Sequence, residues 1–205
     1  MPSLKDLRNR IDSVKSTKKI TQAMKMVAAS KLKKAQILAE KGRNYSSGMG
    51  SIVNELVSSE SRKDHPLLNN KDSVDRILII TVSSDRGLCG GLNSNIVKKV
   101  KNLIKLLEKQ NKKITIVCLG KKGYDLLYSF NAALFNYEIK FVPVGDMNYE
   151  KTEELGNKIL SSFFDKTYGE CYLFYNFFSS VISQEVTKEK LIPYEKSIDK
   201  IEKEN

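Results

Sequence analysis

From Ser3 to Lys41 the chain contains no Gly and no Pro, and residues of good helix propensity dominate. Apolar residues fall at Leu4, Leu7, Ile11 and Val14, in steps of three, four and three, the spacing of one helix face. The stripe resumes out of register at Ile20, Met24, Val27/Ala28, Leu32, Ala35 and Ala39. It returns after Gly42 at Tyr45, Met49, Ile52 and Leu56. This pattern predicts one long helix, or two abutting helices, ending before His65-Pro66. At ~1.5 Å per residue, the Ser3–Lys41 stretch alone reaches about 58 Å, longer than a small domain is wide.

A different regime begins near Asp75. Arg76–Ser83 (RILIITVS) is a compact β-branched run that reads as a buried strand. A Gly-rich loop, Asp85–Gly91, follows, and then Asn93, Ser94 and Asn95 stand as N-cap candidates for a helix over Ile96–Gln110. Lys113–Leu119 predicts the next strand, Gly123–Phe130 a helix, Ile139–Val142 a short strand and Lys151–Lys166 a helix. An aromatic strand, Glu170–Phe178, comes next, with an extended piece, Glu185–Pro193, expected to pair back against it. Strands alternating with helices predict an α/β fold: a long N-terminal coiled-coil helix plus a doubly wound, Rossmann-like domain with an antiparallel edge. The expected layout is a helix over 1–60, a linker over 61–74, the α/β domain over 75–193 and a polar tail over 194–205. No α/β helix matches the first helix in length. Its seam therefore needs cover from another chain or from a segment outside these 205 residues.

Charge sharpens this picture. Residues 1–43 hold twelve Lys/Arg and three acids, a net of +9 out of the chain's +11. An acidic partner is implied, whether nucleic acid, anionic lipid or an acidic protein surface. Aromatics are absent from residues 1–44, which disfavours base stacking and interfacial membrane binding. The small residues Ala23, Ala28, Ala29 and Ser30 suit close helix packing, so an acidic protein groove fits best. A nucleic-acid-binding protein using this helix for phosphate contacts is the alternative.

No run approaches the ~18 apolar residues of a membrane span, and the charged start has no apolar core of a signal peptide. Cys89, Cys118 and Cys171 are odd in number and widely spaced, which suggests neither a disulfide framework nor a zinc site; small buried hydrophobes are expected. His65, the only histidine, reads as a loop residue, which removes His-based metal clusters and makes a Ser/His/Asp triad unlikely. The loop Ser84–Asn93 sits where phosphate loops occur, but Gly87, Gly90 and Gly91 make no GxGxxG and no GK[ST] follows. The same Walker test fails at Gly120–Gly123. The loop is expected to be a tight turn exposing a specific surface. No cofactor, metal or catalytic constellation is indicated.

Two stretches carry a family resemblance. Leu7-Arg8-Asn9-Arg10-Ile11 with Ser13–Lys31 (SVKSTKKITQAMKMVAASK) resembles the N-terminal signature of the γ subunit of F-type ATP synthases. The loop Asp85-Arg86-Gly87-Leu88-Cys89-Gly90-Gly91-Leu92-Asn93 resembles that family's second signature, and Ser183–Pro193 also fits. The resemblance implies a non-catalytic central rotor stalk of a proton-translocating complex. Its implied partners are the α and β subunits, the ε subunit and the membrane c-ring. It further implies a peripheral location on the cytoplasmic face of the bacterial plasma membrane. By similarity, Lys15, Lys18, Lys19, Met24, Lys25 and Lys31 face the catalytic head. Asp85, Arg86, Gly87, Cys89, Gly90 and Gly91 lie near acidic lever segments of the β subunits. The family's second long helix, expected to pair with the first, is not in this sequence, so a shortened or partial chain is implied.

Overall fold

A computed structural model describes residues 3–58, 65–68, 74–134, 138–145, 147–180 and 183–194. Most of the expected linker and nearly all of the polar tail lie outside the described residues. The chain divides into two compact units, residues 1–58 and 59–205.

The first unit is one helix, α1 (Leu4–Ser58), of 55 residues. Ser3 starts it as an N-cap: its Oγ accepts from the Asp6 N–H at 3.3 Å, and Asp6 Oδ2 accepts from the Ser3 N–H at 3.1 Å. Thr17 and Thr21, β-branched and polar, satisfy their hydroxyls by donating to the carbonyls of Ser13 and Thr17, each at 2.9 Å. The helix runs on through Gly42, Gly48 and Gly50, where an added Cβ would meet nothing within 4 Å. Of the two sequence-level options, the single helix is therefore the one observed.

The second unit is a five-stranded sheet with helices on both faces, in the order β1 (Arg76–Val82), α2 (Leu92–Lys109), β2 (Lys113–Leu119), α3 (Lys121–Leu134), β3 (Glu138–Val142), α4 (Tyr149–Phe164), β4 (Glu170–Phe178) and β5 (Gln184–Ile192). The sheet order is β3-β2-β1-β4-β5, parallel throughout except for the antiparallel β4–β5 edge. β1 is central and needs apolar side chains on both faces, which its β-branched run supplies. Ile77 and Ile79 pack with Ile96, Val100 and Ile104 of α2 on one face, and Leu78 and Ile80 pack with Phe163 of α4 on the other. Each such fully buried side chain stabilises the fold by roughly 1.5–3 kcal/mol. Between α4 and the sheet remains a cavity of about 450 Å³, lined in part by Leu78, Val117, Val142, Ile159 and Tyr168.

The helix after β1 starts earlier than its sequence suggests. Gly91 is the N-cap of α2, and Asn93, Ser94 and Asn95 fall inside the first turn. The Asn93 side chain is drawn into the preceding loop instead of capping its own helix. At the far end Asn111 takes φ +56, and the N–H groups of Asn111 and Lys112 donate to the carbonyls of Glu108 and Leu107 at 2.9 and 3.1 Å, which closes the helix.

Candidate functional site

The residues implicated by sequence lie on both units. On α1, Lys15, Lys18, Lys19, Met24, Lys25 and Lys31 are all exposed. At 3.6 residues per turn, Lys15, Lys18, Lys19 and Lys25 share about a third of the circumference, the sector that continues the Leu4/Leu7/Ile11/Val14 stripe. Met24 and Lys31 fall on roughly the opposite side, with Ile20 and Val27. The register shift in the apolar pattern is thus a change of side. Around residues 15–19 the stripe crosses the helix and a cationic band takes its place. The six positions do not form a single face. The apolar stripes stay open to solvent, with Val14 67% and Ile20 61% exposed.

The loop after β1 is built by two clamps. In the first, Asp85 Oδ1 accepts from the Lys121 N–H at 3.0 Å and Oδ2 accepts from the Gly145 N–H at 2.7 Å. One carboxylate thus ties β1 to the start of α3 and to the loop after β3. The backbone donor at Lys121 is the main cause that holds the Asp85 carboxyl below its ordinary value, against a smaller desolvation effect. In the second clamp, Asn93 Oδ1 accepts from the Ser84 N–H at 3.0 Å. Its Nδ2 donates to Ser84 Oγ at 2.8 Å and to Cys89 Sγ at 3.1 Å. Asn93 is buried, so its amide is fully committed to this loop.

Between the clamps, Arg86, Gly87, Gly90 and Gly91 are exposed and Cys89 is half-buried. Asp85 therefore acts inside the domain, whereas Arg86 and the glycines face outward. Leu88, which sequence reasoning passed over, stands at φ +63 and is 95% exposed. The only signal for it in the sequence is a large aliphatic residue set among glycines. The other two cysteines are core residues, and burial pushes the Cys118 thiol up to about 11 and the Cys171 thiol up to about 12.

At the C-terminal ends of β1 and β2 the chain packs closely on itself. Ser83 Oγ accepts from the Gly123 N–H at 3.0 Å and donates to the carbonyls of Leu119 and Gly120. Gly120 has φ +104, and a Cβ there would fall on the Ser83 carbonyl. A Cβ at Gly123 would lie 2.5 Å from Ser83 Oγ. Gly120 and Gly123 thus permit close packing against Ser83. Among the described residues, no group of three or more His, Cys, Asp or Glu side chains could hold a metal, and no helix is long and apolar enough to cross a membrane.

The family model described as ATP synthase matches residues 3–205. The ATP synthase gamma chain of Sinorhizobium medicae is 40% identical over 195 residues, covering 94% of this chain and 67% of that one. The gamma chain of Pelagibacter ubique is 42% identical over 199 residues, covering 96% of this chain and 68% of that one. This chain belongs to the ATP synthase gamma-chain family. It spans about two thirds of the length of these relatives. Among solved structures it is similar to a chain of the central stalk and c-ring of the Tetrahymena thermophila mitochondrial ATP synthase. That match has a TM-score of 0.63 and 31% identity, and covers 85% of this chain and 72% of that one. A chain of the Euglena gracilis mitochondrial ATP synthase rotor shares the fold, with a TM-score of 0.55 at 19% identity over 90% of this chain and 61% of that one. The nucleic-acid reading of the basic helix finds no support among these gamma chains.

Proposed function

We propose that this gamma-family chain serves as a central-stalk subunit of a proton-translocating F-type ATP synthase, coupling rotation of a membrane ring to ATP synthesis or hydrolysis in a catalytic head. In this reading the chain performs no bond chemistry. The reaction belongs to the complex, and this chain supplies an asymmetric, charged shaft. α1 enters the ring of α and β subunits, and the α/β domain meets the ε subunit and the c-ring. The complex places the chain peripherally, at the cytoplasmic face of a bacterial plasma membrane.

The observation that carries the reading is the form of α1: a continuous 55-residue helix with its apolar stripes open and a cationic band where the stripe changes side. Exposed ammonium groups on a rod can slide between equivalent carboxylates, because long-range attraction does not depend on one fixed pocket. Lys15, Lys18, Lys19 and Lys25 form the band that faces acidic partners, and Met24 and Lys31 meet the head on the other side. In the loop, Arg86, Gly87, Gly90 and Gly91 approach acidic segments of β subunits, with Asp85 and Cys89 holding the shape behind them.

Co-assembly with α and β subunits tests the proposal. The wild-type chain is expected to co-purify with them at physiological salt. The quadruple variant Lys15→Glu, Lys18→Glu, Lys19→Glu and Lys25→Glu is expected to be lost from the complex. A stable α/β head that forms without ever taking up the wild-type chain would contradict the reading.

A further inference from the structure

The tip of the β1–α2 loop is tied down on both sides of Leu88. Asp85 fixes the segment before it through the Lys121 and Gly145 amides, and Asn93 fixes the segment after it through Ser84 and Cys89. Leu88 itself is in the left-handed region at φ +63, which a leucine seldom adopts, and its side chain is 95% exposed. Neither the backbone strain nor the exposed isobutyl group helps the isolated domain fold. Two conditions that disfavour the free chain coincide at one residue, on a loop whose other contacts are satisfied. That combination marks a side chain shaped for something outside the chain.

The surroundings state what that something is. Beside Leu88 lies a depression of about 360 Å³ whose lining includes Cys89, Asn93, Lys122 and the half-exposed Leu126. The exposed cation Arg86 stands two residues before Leu88, and the exposed Lys121 directly precedes Lys122 of the lining. Nearby Asp125 is taken up by Lys122 at 3.8 Å, and Asp85 by backbone amides. Exposed cations therefore accompany an apolar knob and its adjoining socket along the chain. A single leucine with no aromatic neighbour in the loop offers too little apolar area to hold a membrane surface.

We propose that Leu88 is the anchor residue of this loop's protein interface. It inserts into an apolar socket on an acidic surface of a partner subunit, while Arg86 and Lys121 meet that surface's carboxylates. The proposal rests on the central-stalk reading for the identity of the partner, and deepens it by naming the residue that holds the contact. Leu88 supplies the slow-dissociating part of the interaction, and the cations supply the attraction that speeds encounter.

The experiment measures association and dissociation rates of the full chain with the assembled α/β head. It compares wild type, Leu88→Asn, Leu88→Met and Arg86→Glu. Asparagine tolerates the left-handed backbone and deletes the apolar group. Leu88→Asn is therefore expected to leave the thermal midpoint of the free chain unchanged or raised, yet to dissociate about tenfold faster or more. Leu88→Met keeps an apolar knob and should stay within about threefold of wild type. Arg86→Glu should slow association, with a weaker salt dependence, and change dissociation less. If wild type binds the head and Leu88→Asn dissociates at the same rate, the anchor assignment is overturned and the stalk reading stands. If wild type does not bind the head at all, both fall. Binding of wild type, but not Leu88→Asn, to anionic vesicles would also overturn the assignment, in favour of a lipid contact.

Discussion

Ile20 in α1 is 61% exposed, and Ile79 in β1 is 0% exposed. The two side chains are identical, yet only one contributes to the stability of this chain by itself. Ile79 sits in a sheet closed on both faces by helices, where each neighbour was supplied by the same chain. Ile20 lies on a rod whose local propensity favours helix but whose apolar stripe meets solvent. Helices in water draw little stability from propensity alone, and most of it comes from packing of an apolar face. The α/β unit buries its apolar positions within this chain, whereas most of those on α1 stay exposed.

Paired substitutions break this comparison most severely. Ile79→Ala should cost the sheet domain about 2–5 kcal/mol in urea unfolding, since it leaves a cavity between β1 and α2. Ile20→Ala should change the free chain by less than about 0.5 kcal/mol, because alanine is the better helix former and no core is lost. Equal costs at the two sites would mean that α1 is already buried. Next comes Gly120→Ala, which places a Cβ on the Ser83 carbonyl at φ +104 and should cost about 2–3 kcal/mol. That loss should appear in the sheet domain's unfolding and leave α1's helical signal untouched.

Smaller effects sharpen the contrast from the rod's side. Gly42→Ala, Gly48→Ala and Gly50→Ala should each stabilise the helix by about 0.5–1 kcal/mol, because an added methyl meets nothing and the unfolded chain loses freedom. Circular dichroism on heating would read this as greater residual helicity. Smallest is the acid response of the sheet domain. Asp85 has its folded-state value lowered, so its contribution is present above the ordinary carboxylate range and is lost as pH falls through the folded value. Asp75 and Glu154 are lowered in the same direction by Lys112 and Lys158, but those are side-chain pairs that salt screens. At high salt, Asp85→Asn should flatten the remaining acid dependence; an unchanged slope would remove Asp85 from this role.

Legibility in the sequence followed burial. β2 (Lys113–Leu119) and β4 (Glu170–Phe178) coincide with their sequence readings to the residue, because an unbroken β-branched or aromatic run has few alternatives. The sheet order was not readable, since alternation of strands and helices does not say that β4 returns to pair with β1. Whether α1 was one helix or two stayed open, because Gly42 and a seam that changes side look alike in one dimension. Asn93 read as a cap because capping and loop-clamping use the same side chain, and only the fold shows that Ser84 takes it. Leu88 was invisible for a related reason: nothing in a sequence distinguishes a leucine turned inward from one held outward at φ +63.

Amide hydrogen exchange, recorded on the chain alone and again with the α/β head, tests the division between rod and domain most directly. The account predicts rapid exchange along residues 4–52 in the free chain, strong slowing there in the complex, and β1, β2 and β4 protected equally in both states. Protection of α1 that is already high in the free chain, or that does not change when the head is added, would contradict it.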